Sequence, residues 1–483
     1  MRSLASPDAR LAGRRGAMHL DRWLGFATTR PSAAVWFALA CATCDARTPC
    51  LVGDAAPDGE ADVGTEDVGA VAVADATGTD VESAPWGCPD LPCSTPCRPV
   101  PSASRIFLGW GHAVAAGFSA SGDTIAFALD ALGSGVIPSR HGLEHVVVRY
   151  GTGTSEPRAI WPHGAFAAAW SGVEFAAFAW AGTDDTVRFL RFGEDGALRA
   201  SVTVTAAHDW LADATMLWTG TAYVLAQSEL TLRMVAADGT LGDPFFRLHD
   251  ILGRFRYVWA WYIAWGPSGP GLLVVDYPWA AGYPEPSRVS FLLLDSEGRE
   301  VYRPLPVGLG PLPLDEVDGV TFHPAPFGFV VLAVVPVAEE DPGRPTDRLR
   351  LRRGEVRVVL LSDGGETLAG PLVVDTVDAL NRPLWPAATY ADAAATERDA
   401  LVAYYRQNID VETTEDPIDD ERNATTRLRT VALDGTVGDA VDLDEPLSHV
   451  RVLRSGGVVA VAGSRFWGFD VEDQVVLWTG CCE

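Results

Sequence analysis

Trp170-Ser171-Gly172-Val173-Glu174-Phe175 leads into Ala176-Ala177-Phe178-Ala179-Trp180, an aromatic residue and a glycine turn followed by an apolar run. The pattern returns as Trp218-Thr219-Gly220-Thr221-Ala222-Tyr223 before Val224-Leu225-Ala226. It returns again as Trp265-Gly266 before Gly271–Val275, and as His323–Gly328 before Phe329–Leu332. The three tryptophans are spaced by 48 and 47 residues (218−170 and 265−218), a period that marks stacked supersecondary units.

Outward from each of these lies a second recurring element, a strand, an acidic-glycine turn and another strand. It occurs at Val187–Phe192 with Glu194-Asp195-Gly196, and at Leu230–Val235 with Asp238-Gly239. Further copies are Val289–Leu294 with Glu297-Gly298, Val356–Leu361 with Asp363-Gly364, and Thr426–Leu433 with Asp434-Gly435. Asp-Gly between alternating apolar runs is a strong hairpin signal, because both residues tolerate positive φ. The unit is therefore four antiparallel strands, a to d, with a variable b–c loop, which is the pattern of a β-propeller blade. Units begin near Ala116, Ala168, Met216, Ile263, Thr321, Ala388 and Arg451, so the sequence predicts an all-β propeller of seven four-stranded blades, with six or eight as alternatives. The last unit lacks a fourth strand. Ile106–Trp110 precedes the first unit without a partner, and closure of a ring would pair the two and remove the exposed edges.

The array, over about residues 105–483, resembles bacterial lipoproteins of uncharacterised role that carry β-propeller-type repeats. The resemblance rests on the Trp-x-Gly-x-x-aromatic element and the Asp-Gly turn. It implies the fold and, since one fold hosts many functions, no activity. The chain departs from other propeller families: it has no repeated Trp-Asp, no double-glycine kelch spacing, and no Ser and Trp around the Asp-Gly turns as in sialidase Asp boxes.

The first hundred residues read differently. Arg10, Arg14, Arg15, Arg22 and Arg30 precede Ala33–Ala40, a short apolar run far below the roughly 20 residues that span a bilayer. A basic leader, a short apolar core and small residues describe an export signal over residues 1–40. Ala38-Leu39-Ala40-Cys41 resembles a bacterial lipobox, which implies diacylation of Cys41; ordinary cleavage after Ala40 is the alternative. Residues 41–103 are acidic, poor in aromatics and without apolar period, and are expected to be a disordered linker that holds the body, 104–483, off a membrane. The expected location is the cell envelope, at the outer membrane.

Eight cysteines frame the body and none lies between Cys97 and Cys481. Apart from Cys41, these are Cys44, Cys50, Cys88, Cys93, Cys97, Cys481 and Cys482, disulfide candidates in an oxidising compartment. Cys88-x4-Cys93-x3-Cys97 lacks the paired spacing of a zinc ribbon. A disulfide between the N-terminal cysteines and Cys481 or Cys482 would lock a closed ring.

Charge and composition exclude several chemistries. The net charge of −27 repels phosphate backbones, so no nucleic-acid partner is expected. Every one of the 37 basic residues is arginine, which rules out P-loop, Schiff-base and Ser–Lys chemistry. There is no Gly-x-Ser-x-Gly elbow. His141-Gly142-Leu143-Glu144-His145 matches His-x-x-Glu-His, but Gly142 and Val146–Val148 favour a strand over the helix that a zinc site needs. Seven acids between Asp410 and Glu421 offer calcium ligands without an EF-hand spacing; otherwise no cofactor or metal is expected. Sixteen tryptophans are many for this length, and Trp259, Trp261, Tyr262 and Trp279 form a candidate binding face, with blade packing as the competing role.

These features point to a monomeric, non-catalytic, lipid-anchored envelope protein whose propeller presents a surface to a protein or glycan. The alternatives are a carbohydrate-active hydrolase or lyase using carboxylates from different blades, and a structural envelope component without a specific ligand.

Overall fold

The computed structural model describes residues 99–482, apart from the segments 120–123, 132–141, 182–186, 205–213, 248–257, 296–304, 313–318, 341–350, 381–390, 408–423 and 466–473 and a few shorter loop positions. The expected signal, Cys41, the acidic linker, Cys44, Cys50, Cys88, Cys93, Cys97, His141 and the acidic run at 410–421 lie outside the described residues. No helix among the described residues is long and apolar enough to cross a membrane.

The chain is an all-β propeller. It opens with β1 (Pro99–Trp110), then β2 (His112–Phe118), β3 (Thr124–Ala131), β4 (Gly142–Arg149), β5 (Gly153–Thr154) and β6 (Arg158–Trp161). The next sheets are β7 (Ala165–Trp170), β8 (Glu174–Trp180), β9 (Val187–Gly193) and β10 (Leu198–Val204), then β11 (Thr215–Trp218), β12 (Tyr223–Ala226), β13 (Thr231–Val235) and β14 (Leu241–Arg247). The fourth unit is β15 (Val258–Gly266), β16 (Gly269–Asp276), β19 (Arg288–Leu293) and β20 (Leu305–Pro306), with a small hairpin of β17 (Trp279–Ala280) and β18 (Tyr283–Pro284) between its second and third strands. Then come β21 (Val320–Ala325), β22 (Gly328–Glu340), β23 (Leu351–Ser362) and β24 (Thr367–Leu380), followed by β25 (Asp392–Ala395), β26 (Asp399–Gln407), β27 (Ala424–Ala432) and β28 (Val441–Leu443). Finally β29 (Leu447–Ser455), β30 (Val458–Arg465) and β31 (Gln474–Cys482) form a sheet with β1.

The first strands β2, β7, β11, β15, β21, β25 and β29 pack beside one another in that order, and β29 returns to β2. β1 completes the final sheet by pairing antiparallel with β31, from Pro99 opposite Cys482 to Trp110 opposite Gln474. The expectation of seven four-stranded blades needs correction, because six sheets are four-stranded. The sheet of β2, β3 and β4 has five strands, β5 and β6 both pairing with β4. The outer strand is broken at Ser155-Glu156-Pro157, where Ser155 still bonds Val147 through its N–H and hydroxyl and Pro157 has no N–H to donate.

The hydrophobic clusters sit between sheets rather than within one. Phe127, Val146, Leu453 and Leu477 join the closing sheet to the next, and Trp170, Phe175 and Phe192 join that sheet to the β7–β10 sheet. Phe291, Phe322 and Phe329 fill the gap between the β15 and β21 sheets, with ring centroids 5.0–6.1 Å apart. Burial of each such ring contributes about 1.5–3 kcal/mol, so the ring of sheets is the core.

The two recurring sequence elements become the tight turns of one rim. In the a–b turns, a hydroxyl closes the loop: Ser171 Oγ accepts from the Val173 and Glu174 N–H groups, Thr219 Oγ1 from Thr221 and Ala222, and Thr396 Oγ1 from Arg398 and Asp399. In the c–d turns, Asp195, Asp238 and Asp434 each accept from the N–H two residues on, and this bond holds their carboxyls below the usual range. Gly196, Gly239 and Gly435 then take φ of 68°, 83° and 88°. These glycines also press on the preceding sheet. A Cβ would stand 2.7 Å from His145 at Gly196 and 2.7 Å from Phe189 at Gly239. The turn after β23 is shifted by one residue: Gly365, not Gly364, has φ of 82° and meets Phe291. Asp363 is thereby released from its own turn and accepts from the Ser268 N–H and hydroxyl of the sheet before it.

Candidate binding rim

Because the strands alternate in direction, the a–b and c–d turns share one rim and the b–c and d–a links share the other. The second rim carries most of the connections that are long in sequence, including the one that holds the β17–β18 hairpin. Loops of this length on a rigid scaffold are where binding residues concentrate.

At the junction of the β4 and β7 sheets, this rim gathers Asp130, Trp161, His163 and Arg188, while Phe166 and Trp180 lie on the opposite face of the β7–β10 sheet, toward β11. Trp161 ends β6, His163 and Gly164 lie in the link to β7, and Phe166 is the second residue of β7. Trp180 ends β8, Arg188 is the second residue of β9, and Asp130 lies next to the end of β3. Main-chain bonds hold the junction: Leu143 N–H donates to the His163 carbonyl at 3.1 Å and Trp180 N–H to the Gly164 carbonyl at 3.0 Å. Trp161 Nε1 donates to the Trp180 carbonyl. Phe166 packs on Trp180 with ring centroids 4.0 Å apart, His163 lies edge-on to Trp161 at 6.5 Å, and the Arg188 guanidinium stands 5.8 Å from the Trp161 ring. Trp161, His163, Phe166, Trp180 and Arg188 are all half-buried. In a core these rings would be closed off, and here each keeps part of its surface in water.

Asp130 is the electrostatic feature of this junction. Burial pushes its pKa up to about 7, and a hydrogen bond from the Ala165 backbone pulls it partly back. Gly164 is required there, since a Cβ would stand 2.8 Å from an Asp130 carboxyl oxygen. Near neutral pH the carboxyl is therefore divided between a hydrogen-bond donor and an anion. Arg188 is the other unusual group. Among the described residues its guanidinium has no hydrogen-bond or ion-pair partner. Other half-buried arginines are matched: Arg191 to Glu174, Arg357 to Glu355, Arg427 to Asp375 and Asp442, and Arg454 to Asp399.

The tryptophans singled out from sequence separate into two groups. Trp170 ends an a strand on the turn rim, is 4% exposed, and its Nε1 donates to the Phe118 carbonyl of the preceding sheet at 3.0 Å. Trp218 packs on Tyr223 and Trp265 on the apolar cluster between β11 and β15, so these repeat positions are packing residues. Trp259 and Trp261 begin β15 and Trp279 begins the β17 hairpin, which places all three on the loop rim. Trp261 is half-buried against the same cluster, while the side chains of Trp259 and Trp279 lie outside the described residues. Tyr262 is 4% exposed and belongs to the apolar cluster with Phe291 and Phe329, so it is a core residue rather than part of a binding face.

His145 lies on strand β4, edge-on to Phe175 and Phe192, with burial lowering its pKa to about 4. It is not helical, as a zinc helix would require. Among the described residues no three His, Cys, Asp or Glu side chains are placed to hold a metal. Cys481 and Cys482 lie in β31 opposite Val100 and Pro99.

No protein-family model matches this sequence, and no curated protein matches it. Solved structures with a similar arrangement include the Dos1 propeller (7% identity, 79% of this chain and 95% of that one, TM-score 0.38). BamB from Moraxella catarrhalis is similar at 11% identity over 78% of this chain and 99% of that one (TM-score 0.32), and the WD40 domain of SCAP from fission yeast at 10% over 80% and 98% (TM-score 0.34). The propeller assignment itself rests on the strand order.

Proposed function

We propose that this is a lipid-anchored envelope protein without catalytic activity, whose loop rim binds a protein or glycan. The observation that carries this reading is the pair of half-buried rings Trp161 and His163 beside Arg188 at the junction that also holds Asp130. Aromatic faces with one polar edge suit sugar rings and protein anchors alike. The anchor is Cys41, joined by the acidic segment to a monomeric propeller. Cys481 or Cys482, beside the start of β1, would close the ring through a disulfide to Cys97, which stands two residues before Pro99.

Two measurements test this. Mass spectrometry of the protein from native membranes should find a diacylglycerol adduct on Cys41; an intact Met1 terminus with reduced thiols would defeat the envelope assignment. Envelope glycans and proteins should be retained by the full chain and lost, about 10-fold or more, by Trp161→Ala, which removes the ring beside His163 and Arg188. Equal retention by the variant would move the site elsewhere.

A second reading, a carbohydrate-active hydrolase or lyase, draws on Asp130. A carboxyl with pKa near 7 is suited to general acid work. Release of new sugar ends by the wild type, and not by Asp130→Asn, would establish it. Binding without turnover would leave the non-catalytic reading.

A further inference from the structure

A half-buried guanidinium is costly to leave unmatched, and this chain satisfies that demand at most sites. Arg191, Arg357, Arg427 and Arg454 each have a carboxylate, and Arg233 and Arg429 each donate to a carbonyl oxygen. Arg188 has neither among the described residues. Its recorded neighbour is the face of Trp161, which orients the guanidinium without neutralising it. It stands on the loop rim at the entry to β9. The Nε of Arg406, Arg429, Arg451 and Arg454 is likewise buried without a hydrogen bond, but each of those guanidiniums has a carboxylate or carbonyl partner; a guanidinium with none among the described residues has its whole fork to offer.

We infer that Arg188 receives the carboxylate of an acidic sugar, so that the loop rim recognises uronic-acid-type glycans. This inference rests on the glycan form of the function proposed above and names its ligand class. The guanidinium would take the carboxylate as a fork, which Lys cannot reproduce. The adjoining half-buried rings of Trp161 and His163 would contact the sugar ring. The net charge of −27 does not forbid an anionic ligand. At physiological salt, charges more than about 8 Å away are largely screened, so the local guanidinium decides.

The test is calorimetric titration of the full chain with oligogalacturonate, a neutral galactose oligomer and poly-glutamate, repeated with Arg188→Gln and Arg188→Lys. Oligogalacturonate should bind more tightly than the neutral oligomer. Arg188→Gln should lose about 10-fold or more in affinity for the acidic sugar alone, and Arg188→Lys should recover only part of it. Circular dichroism should show both variants folded. Equal affinity for acidic and neutral sugars would overturn the inference and leave the glycan reading standing. Preference for poly-glutamate would replace the sugar with an acidic peptide, overturning it as well. A severalfold gain in sugar affinity in Asp184→Asn/Asp185→Asn would mean that these neighbouring acids occupy the guanidinium, and would also overturn it. Binding of none of the three probes would count against the glycan reading itself.

Discussion

The two rims of the ring are built on opposite principles. On the turn rim the described turns spend their polar groups on their own loop: Ser171, Thr219 and Thr396 close a–b turns, and Asp195, Asp238 and Asp434 close c–d turns. Arg158 and Arg191 reach forward to carbonyls of the next sheet's turn, at Asp195 and Ala237. On the loop rim, Arg188 has no acceptor among the described residues and Asp130 is held partly protonated against its intrinsic preference. The difference teaches where stability ends and binding begins in a repeat protein. A rim whose bonds are all internal can only be damaged by substitution. A rim that leaves a guanidinium and aromatic rings half-covered has capacity for a partner.

The sharpest way to break the comparison is at Gly239. With φ of 83° and Phe189 2.7 Å from a would-be Cβ, Gly239→Ala should cost about 3 kcal/mol in urea unfolding. Gly220→Ala, with φ of 93° but nothing within 4 Å of the Cβ, should cost about 1 kcal/mol. Equal losses would show that contact between sheets does not decide the turn rim.

Next in size is the proposed ring lock. Replacing Cys481 and Cys482 together by serine should lower stability by about 2–4 kcal/mol under oxidising conditions and change nothing under reducing ones. No difference between the two conditions would remove the disulfide.

A third effect separates the rims by pH. The folded pKa of Asp130, about 7, lies above the ordinary aspartate value of 3.8, so its burial is tolerated in acid and costs stability as pH rises between these values. Asp130→Asn should therefore gain on the wild type by about 1.4 kcal/mol per pH unit over that window, to a ceiling near 4 kcal/mol. His145 has the opposite sign. Its folded pKa near 4 lies below 6.5, so its contribution is present above pH 6.5 and lost as pH falls towards 4. A flat difference curve for Asp130→Asn would mean that the carboxyl is solvated. The smallest effect expected is that of Arg188→Gln on stability, within about 0.5 kcal/mol; a larger loss would make Arg188 a structural residue and blur the distinction between the rims.

What could be read from sequence followed from how local the physics is. Trp170-Ser171-Gly172 and Asp238-Gly239 announced their turns because the hydroxyl, the carboxylate and the left-handed glycine act within a few residues. Ring closure by Ile106–Trp110 was legible as a missing strand seeking a partner. The doubled outer strand at β5 and β6 was hidden, since one proline decides it. So was the one-residue shift that gives Gly365 the turn and frees Asp363. Tyr262 shows the limit of composition: an aromatic-rich stretch on a strand sends alternate residues to the core. The junction of Asp130, Trp161 and Arg188 could not be read at all. Its members sit on separate strands of two sheets, and only the alternation of strand direction places their ends together.

The pairing of β1 with β31 also sets an order of events in time. Strand β1 is made early, and its hydrogen-bonding partner is made after all the other sheets. Until then the chain is an open arc with two raw edges, and the loop closure that ends this state spans nearly the whole array, which makes it slow. A chain interrupted before Gln474 would keep those edges exposed to strand exchange with a second copy. The clasp therefore acts as a checkpoint on completeness: only a chain translated to its last strand can hide its own edge.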